Sequence, residues 1–318
     1  MDQIKLVGLD EFRAAARRIA GAVRRTPLLA AAPTQMPAAA AGELTLKLEC
    51  LQVTGSFKAR GAVNKLKSLG EAEIGRGLVT ASGGNHGLGV AYAGWLARVP
   101  ARIYLPTSAP KAKAEKLKRW GAQAVFAGTD WYESNKIALA AAEREGLTYI
   151  HPFADRAVIA GQGTIALEIL EDDPRVDSVL VAIGGGGLIA GVATALKALQ
   201  PRVKVIGVEP TGAATLFESL KADRIVELKE IKTLAGTLAA RRTEPLTFAH
   251  VRQNVDDIVL VSDEEMRAAA EWLWFELGLS VELSAAAAIA ALRTGRYKPH
   301  EKERISVIVC GAGTDGLG

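Results

Sequence analysis

A chain of 318 residues with 49 % hydrophobic content and 32 glycines can bury one large core or two moderate ones, and its composition reads as an ordinary soluble α/β protein. The net charge of +4 is spread along the chain, and no aromatic residues interleave with the densest basic run, 111–119, so that run reads as a solvated helix face and nucleic-acid binding is disfavoured. Two cysteines exclude a disulfide framework, and the absence of an apolar leader or a long apolar stretch excludes a secretory signal and a membrane span, so a reducing cytoplasm is the expected location.

In chain order, short apolar β-branched runs predict buried strands at 44–48, 77–81, 101–105, 124–126, 178–183, 203–208, 257–261 and 305–309. Helical patterns fall at 59–69, 85–97, 111–120, 131–144, 161–170, 187–199, 263–277 and 284–294. Such alternation predicts an α/β fold with mostly parallel sheets. Sheets of this kind bind ligands at the carboxyl ends of their strands, where loops meet helix N-termini. No internal repeat or low-complexity linker interrupts the pattern. A single continuous domain is the simplest reading, although the strands and helices between about 70 and 148 can form a small sheet of their own.

Four places carry chemistry-bearing residues. The run Thr54-Gly55-Ser56-Phe57-Lys58-Ala59-Arg60-Gly61-Ala62 sets one lysine among small residues, beside an aromatic, at the start of a helical pattern. A lysine held this way can react covalently with a carbonyl. The loop Ala81-Ser82-Gly83-Gly84-Asn85-His86-Gly87 follows a strand and opens a helix, which suits an anion site or, equally, a capped turn. Four consecutive glycines, Gly184, Gly185, Gly186 and Gly187, also follow a strand and open a helix. Their entropy cost favours a phosphate cradle over a simple turn, and the spacing matches neither a Walker loop nor the dinucleotide fingerprint. Cys310, beside Gly311 at a strand end, reads as a packed small residue unless that end faces the same cleft as Lys58.

With those runs, His151-Pro152-Phe153, Ile159-Ala160-Gly161-Gln162-Gly163-Thr164 and Val208-Glu209-Pro210 complete an ordered set. In this set the chain resembles the fold type II pyridoxal-phosphate enzymes, within them the serine/threonine dehydratase (threonine ammonia-lyase) and serine racemase family. The resemblance implies a tryptophan synthase β-like architecture: two open twisted, mostly parallel sheets flanked by helices, with pyridoxal 5′-phosphate in the interdomain cleft. It implies a large domain of residues 1–69 and 149–318 and a small domain of residues 70–148. Lys58 is then the Schiff-base lysine and catalytic base, Phe57 lies against the pyridine ring, and Asn85 meets the ring hydroxyl. Gly184, Gly185, Gly186 and Gly187 hold the 5′-phosphate, Cys310 faces the pyridine nitrogen, and Glu282 is an acid near the ring. Ser82, Gly84, Asn85 and His86 grip the substrate carboxylate. The implied reaction is dehydration and deamination of a 3-hydroxy amino acid such as L-threonine or L-serine, by a homodimer of cytoplasmic chains.

Departures from the family pattern narrow this expectation. Gly83 stands where serine racemases carry a second base. Glu209 and the Ala213 carbonyl fit the family's divalent-cation site, but its third position reads Thr215, which leaves a cation open. The segment Thr233-Leu234-Ala235-Gly236-Thr237, followed by Arg241 and Arg242, differs where substrate side chains are sensed. Gly313 replaces the usual asparagine, and Leu283 replaces the usual proline after Glu282. No amino-acid-sensing domain is expected after Gly318. The alternatives are a dehydratase for another 3-hydroxy amino acid (hydroxyaspartate or a bulkier one), β-replacement chemistry, a non-catalytic paralogue that binds pyridoxal phosphate or an amino acid, and a nucleotide-binding α/β protein in which Lys58 is an ordinary surface lysine.

Overall fold

A computed structural model describes residues 4–37, 42–109 and 111–317. Two sheets organise it. The larger takes six strands in the order β1 (Leu28–Ala30), β2 (Glu43–Lys47), β10 (Arg304–Ile308), β7 (Ser178–Ala182), β8 (Lys204–Pro210) and β9 (Asp257–Val261). The smaller has the order β5 (Gln123–Phe126), β4 (Ala101–Leu105), β3 (Leu78–Ala81) and β6 (Thr148–Tyr149). Every pairing is parallel except that of β1 with β2. The central strands are buried on both faces, as β7 and β3 are along their whole length, and this is why they read as continuous apolar runs.

Helix boundaries follow local chemistry. Helix α11 (Asp263–Leu277) opens on a reciprocal cap between Ser262 and Glu265 and closes at Gly278, whose φ of 64° is left-handed. Asp130 caps α6 (Trp131–Glu145), and Asp155 caps α7 (Arg156–Asp172) through the Ala157 and Val158 N–H groups. That second cap starts α7 five residues earlier than its apolar pattern predicts. Helices α1 (Leu9–Ile19) and α10 (Pro245–Asn254) are additional to the expected set, as are the three-residue β1 and the two-residue β6. Both predicted cysteine thiols are buried and free. Among the described residues no helix is long and apolar enough to cross a membrane.

The main core packs α7, α8 (Gly187–Leu199), α11 and α12 (Leu283–Arg293) on the six-stranded sheet. A second core joins the smaller sheet to α4 (Asn85–Ala97), to α2 (Lys58–Lys67) and to the end of α1. Helix α2 is therefore the joint: it packs on α4 on one side and α7 on the other. The α2–α7 crossing depends on two glycines. A Cβ at Gly161 would lie 2.6 Å from the Gly61 Cα, and one at Gly61 would lie 2.8 Å from a Val158 methyl. Replacing Gly161 with alanine is expected to cost about 1–3 kcal/mol by overpacking. Urea unfolding should show this as a lower midpoint at unchanged slope.

Candidate active site

The seam between the sheets collects the carboxyl ends of β3, β7 and β10. A cavity of about 840 Å³ opens there, lined by Phe57, Lys58, Ser82, Gly84, Asn85, His86, the four glycines 184–187, Glu282 and Cys310. All the residues expected around a cofactor and a substrate carboxylate thus share one space. Backbone contacts tie the lysine loop to the end of β10: the Phe57 N–H donates to the Cys310 carbonyl at 3.2 Å and the Ala312 N–H to the Gly55 carbonyl at 2.8 Å. Cys310 therefore faces the same cleft as Lys58.

Lys58 opens α2, and its amine donates to the Pro152 carbonyl at 2.6 Å and sits 5.2 Å from the centre of the Phe57 ring. Burial lowers it to about 8, although Cys310 and Glu282 pull the other way. Burial also holds the Cys310 thiol well above its ordinary value, with Glu282 adding to the rise, so this group is neutral. Burial raises Glu282 to about 6, opposed by hydrogen bonds from Ser284 and Asn85 and assisted by Asp315. Its carboxylate sits at the N-terminus of α12 and accepts from the Asn85 amide through both oxygens, at 2.8 and 3.0 Å. That contact spans the seam, because Asn85 starts α4 on the smaller sheet. The Thr237 hydroxyl bonds Ser284 and reaches Glu282 at 3.5 Å.

The glycine loop fits a phosphate. Among the described residues, the N–H groups of Gly184, Gly185, Gly186 and Gly187 donate to no protein acceptor. Side chains there have no room: a Cβ on Gly185 would come within 2.3 Å of the Phe153 ring and one on Gly184 within 2.8 Å of the Thr237 carbonyl, while Gly186 has a φ of 90°. The result is a concave run of free donors at the start of an apolar helix. His86 lines the same cavity. Its Nε2 bonds the Ile150 carbonyl at 2.9 Å, and burial, then Lys58, keep the ring neutral.

The first turn of α2 is held from behind by a buried charge cluster. Arg60 meets Glu49 at 2.7 and 2.8 Å and Glu168 at 2.7 and 2.8 Å. Lys47 meets Glu168 and the Thr26 carbonyl, each at 2.6 Å. Two cations offset two carboxylates, with Arg60, Glu49 and Lys47 fully buried. Sequence reasoning quoted Arg60 only as a neighbour of Lys58.

Glu209 and Ala213 lie outside the cavity lining. Both Glu209 oxygens accept backbone N–H groups, from Leu216 at 2.9 Å and Phe217 at 2.8 Å, and the Thr215 hydroxyl donates to the Ala240 carbonyl. Among the described residues no group of three or more His, Cys, Asp or Glu could hold a metal ion. Each Glu209 oxygen and the Thr215 hydroxyl are thus engaged in a hydrogen bond within the protein. Cavity residues that the sequence did not single out include Trp131, Tyr132, Lys116 and Asp315. They lie on helices and loops far apart in the chain, and no local pattern marks them.

A buried amine, a neutral thiol and a cradle of free N–H groups in one cleft define a protein that holds a phosphorylated carbonyl compound. The family model described as "Pyridoxal-phosphate dependent enzyme" matches residues 19–311. The chain belongs to this family, and its architecture is that of the fold type II members. It is 39 % identical over 310 residues to L-threonine ammonia-lyase of Thermotoga maritima, covering 98 % of this chain and 76 % of that protein. It is 37 % identical over 311 residues to serine racemase of Oryza sativa subsp. indica, covering 96 % and 91 %. Maize serine racemase superposes with a TM-score of 0.93 at 36 % identity, covering 97 % of this chain and 94 % of that one. Two activities at near-equal identity establish the family and the cofactor class, not one reaction.

Two outcomes follow from this geometry. A protonated amine has no lone pair to add to a carbonyl, so reloading of stripped protein with pyridoxal phosphate should quicken as pH rises through about 8 and then level off. Visible absorption reads the rate; a rise continuing toward about 10.4, the value of an exposed lysine, would contradict the role of burial. Replacing Arg60 with methionine leaves the buried Glu49 carboxylate without its cation, while Glu168 keeps Lys47, and is expected to cost about 3–5 kcal/mol in urea unfolding.

Proposed function

We propose that this chain is a pyridoxal-phosphate-dependent ammonia-lyase that dehydrates and deaminates a 3-hydroxy amino acid, such as L-threonine or L-serine, to a 2-oxo acid and ammonia. The observation that carries the reading is the neutral Cys310 thiol in the same cavity as Lys58. A carboxylate at that place would favour a long-lived delocalised charge, whereas a neutral group suits rapid loss of a leaving group. Bound pyridoxal phosphate supplies the electron sink for charge developing at the substrate α-carbon.

The chain's own residues do the rest. The free N–H groups of the glycine loop bind the phosphate oxyanion. Ser82, Asn85 and the start of α4 bind the substrate carboxylate, and the neutral ring of His86 packs behind them. Lys58, uncharged above about 8, accepts the α-proton at Nζ. The β-hydroxyl then takes up a proton within the site and departs as water, and the released enamine hydrolyses to the 2-oxo acid and ammonia. Gly83 carries no side chain that could serve as a second base, which supports elimination over two-base racemisation. All four strands of the smaller sheet fall within 78–149, which supports a small domain of residues 70–148 closing on a large domain of residues 1–69 and 149–318.

Purified holoprotein offered a panel of L- and D-3-hydroxy amino acids, with no added nucleophile, should release 2-oxo acid and ammonia in equal amounts. Replacing Lys58 with alanine should lower the rate by about 10²–10⁴-fold or more. A cofactor band without 2-oxo acid from any member would shift the reading to β-replacement. Inversion of configuration without elimination would shift it to racemisation.

A further inference from the structure

The segment from Thr233 to Thr243 runs as a strap across the glycine cradle, and it is pinned along its length. The Thr233 hydroxyl donates to Asp263 at 2.5 Å and the Leu234 N–H to the same carboxylate at 2.8 Å. The Thr237 carbonyl lies where a Cβ on Gly184 would otherwise go. The Arg241 N–H donates to the Tyr132 hydroxyl at 3.0 Å, across the mouth of the cleft, and the Thr243 hydroxyl donates to the Gly185 carbonyl at 3.0 Å. The backbone on both sides of Arg242 is thus fixed, once to the smaller sheet and once to the glycine loop itself.

The two arginines of the strap behave differently. Arg241 is committed: its guanidinium packs over the Tyr132 ring at 5.6 Å, donates to the Leu228 carbonyl at 3.3 Å and approaches Glu227 at 3.7 Å. Arg242 is exposed to the cavity, and among the described residues its guanidinium makes no hydrogen bond and no ion pair. A planar five-donor cation on a fixed backbone, lining the cavity that also holds four free N–H groups, can meet an oxyanion there. On the reading proposed above, the loop from Ser82 to His86 takes the carboxylate of a simple hydroxy amino acid, which leaves Arg242 for a further anion.

We propose that Arg242 binds an oxyanion inside the cavity, carried either by the phosphate of the cofactor or by a second acidic group on the hydroxy amino acid. The first source makes it a cofactor-anchoring residue; the second makes it the residue that sets substrate class. The second source rests on the ammonia-lyase reading above, and the first needs only that pyridoxal phosphate binds.

The test uses the full chain, as wild type, Arg242→Gln and Arg242→Lys. Stripped protein is titrated with pyridoxal phosphate and with pyridoxal, which lacks the phosphate. Reloaded protein is titrated with L-threonine and with 3-hydroxyaspartate, following the visible band, so binding is read even where no turnover occurs. If the cofactor phosphate is the ligand, Arg242→Gln weakens pyridoxal phosphate about tenfold or more, leaves pyridoxal unaffected, and Arg242→Lys recovers part of the loss. If a substrate anion is the ligand, cofactor affinity holds and the preference for 3-hydroxyaspartate over threonine falls about tenfold or more, with partial recovery in Arg242→Lys. Unchanged values in every titration, or equal weakening of pyridoxal and pyridoxal phosphate, overturn the proposal. Failure of the ammonia-lyase reading would appear separately, as absence of 2-oxo acid from wild-type protein.

Discussion

An amine is useful near neutral pH only where something removes its charge, and in this protein burial at the seam of two sheets does so for Lys58. Its value falls to about 8 because desolvation outweighs the favourable fields of Cys310 and Glu282. Much else in the site is arranged around that balance. Cys310 is driven toward its neutral form by the same burial, which limits the counter-charge it can offer to restore the ammonium. Glu282 is the nearby acid, and its charge is absorbed by Asn85, Thr237 and the start of α12 rather than left to pair with the lysine.

Keeping an uncharged lysine in place demands a rigid helix under it, since the amine itself contributes little binding. Helix α2 obtains this rigidity from two sources of different kind. Glycine-to-glycine contact at Gly61 and Gly161 lets α2 and α7 approach until backbones touch. One residue earlier, Arg60 is gripped by Glu49 and Glu168, with Lys47 completing a neutral set of four charges. Close packing fixes distance, and paired charges in a dry interior fix orientation, because any tilt of α2 leaves a buried carboxylate unpaired. The same helix touches α4, whose first residue, Asn85, reaches across to Glu282. Movement of the smaller sheet therefore reaches the cavity through α2 and through the Asn85–Glu282 contact together.

The elements easiest to read in the sequence were those that carry strong periodicity. Helices α4, α8 and α11 and strands β4 and β9 occupy the expected residues. Strands β1 and β6, of three and two residues, are too short for a period to show, and they exist because longer neighbours offer them free edges. Helix α1 did leave a signal, with Phe12, Ala15 and Ile19 on one face, and Pro245 at the first turn of α10 was another. The early start of α7 came from Asp155, a capping residue that an apolar pattern does not register.

The sequence by itself determined the family, the alternation of strands and helices, and which loops sit at strand ends, since each of these is encoded in short contiguous runs. It also determined that Lys58, Asn85, the four glycines, Glu282 and Cys310 belong together, through their ordered resemblance to known chains. Only the tertiary structure decided how they interact. That Asn85 holds both oxygens of Glu282, that His86 is turned to the Ile150 carbonyl, that Arg60 anchors the lysine helix and that Arg242 lines the same cavity as the glycine cradle without a partner among the described residues are relations between residues 11 to 197 positions apart. Their energies depend on distance, burial and competition for donors, and those quantities come into being only when the two sheets close on one another.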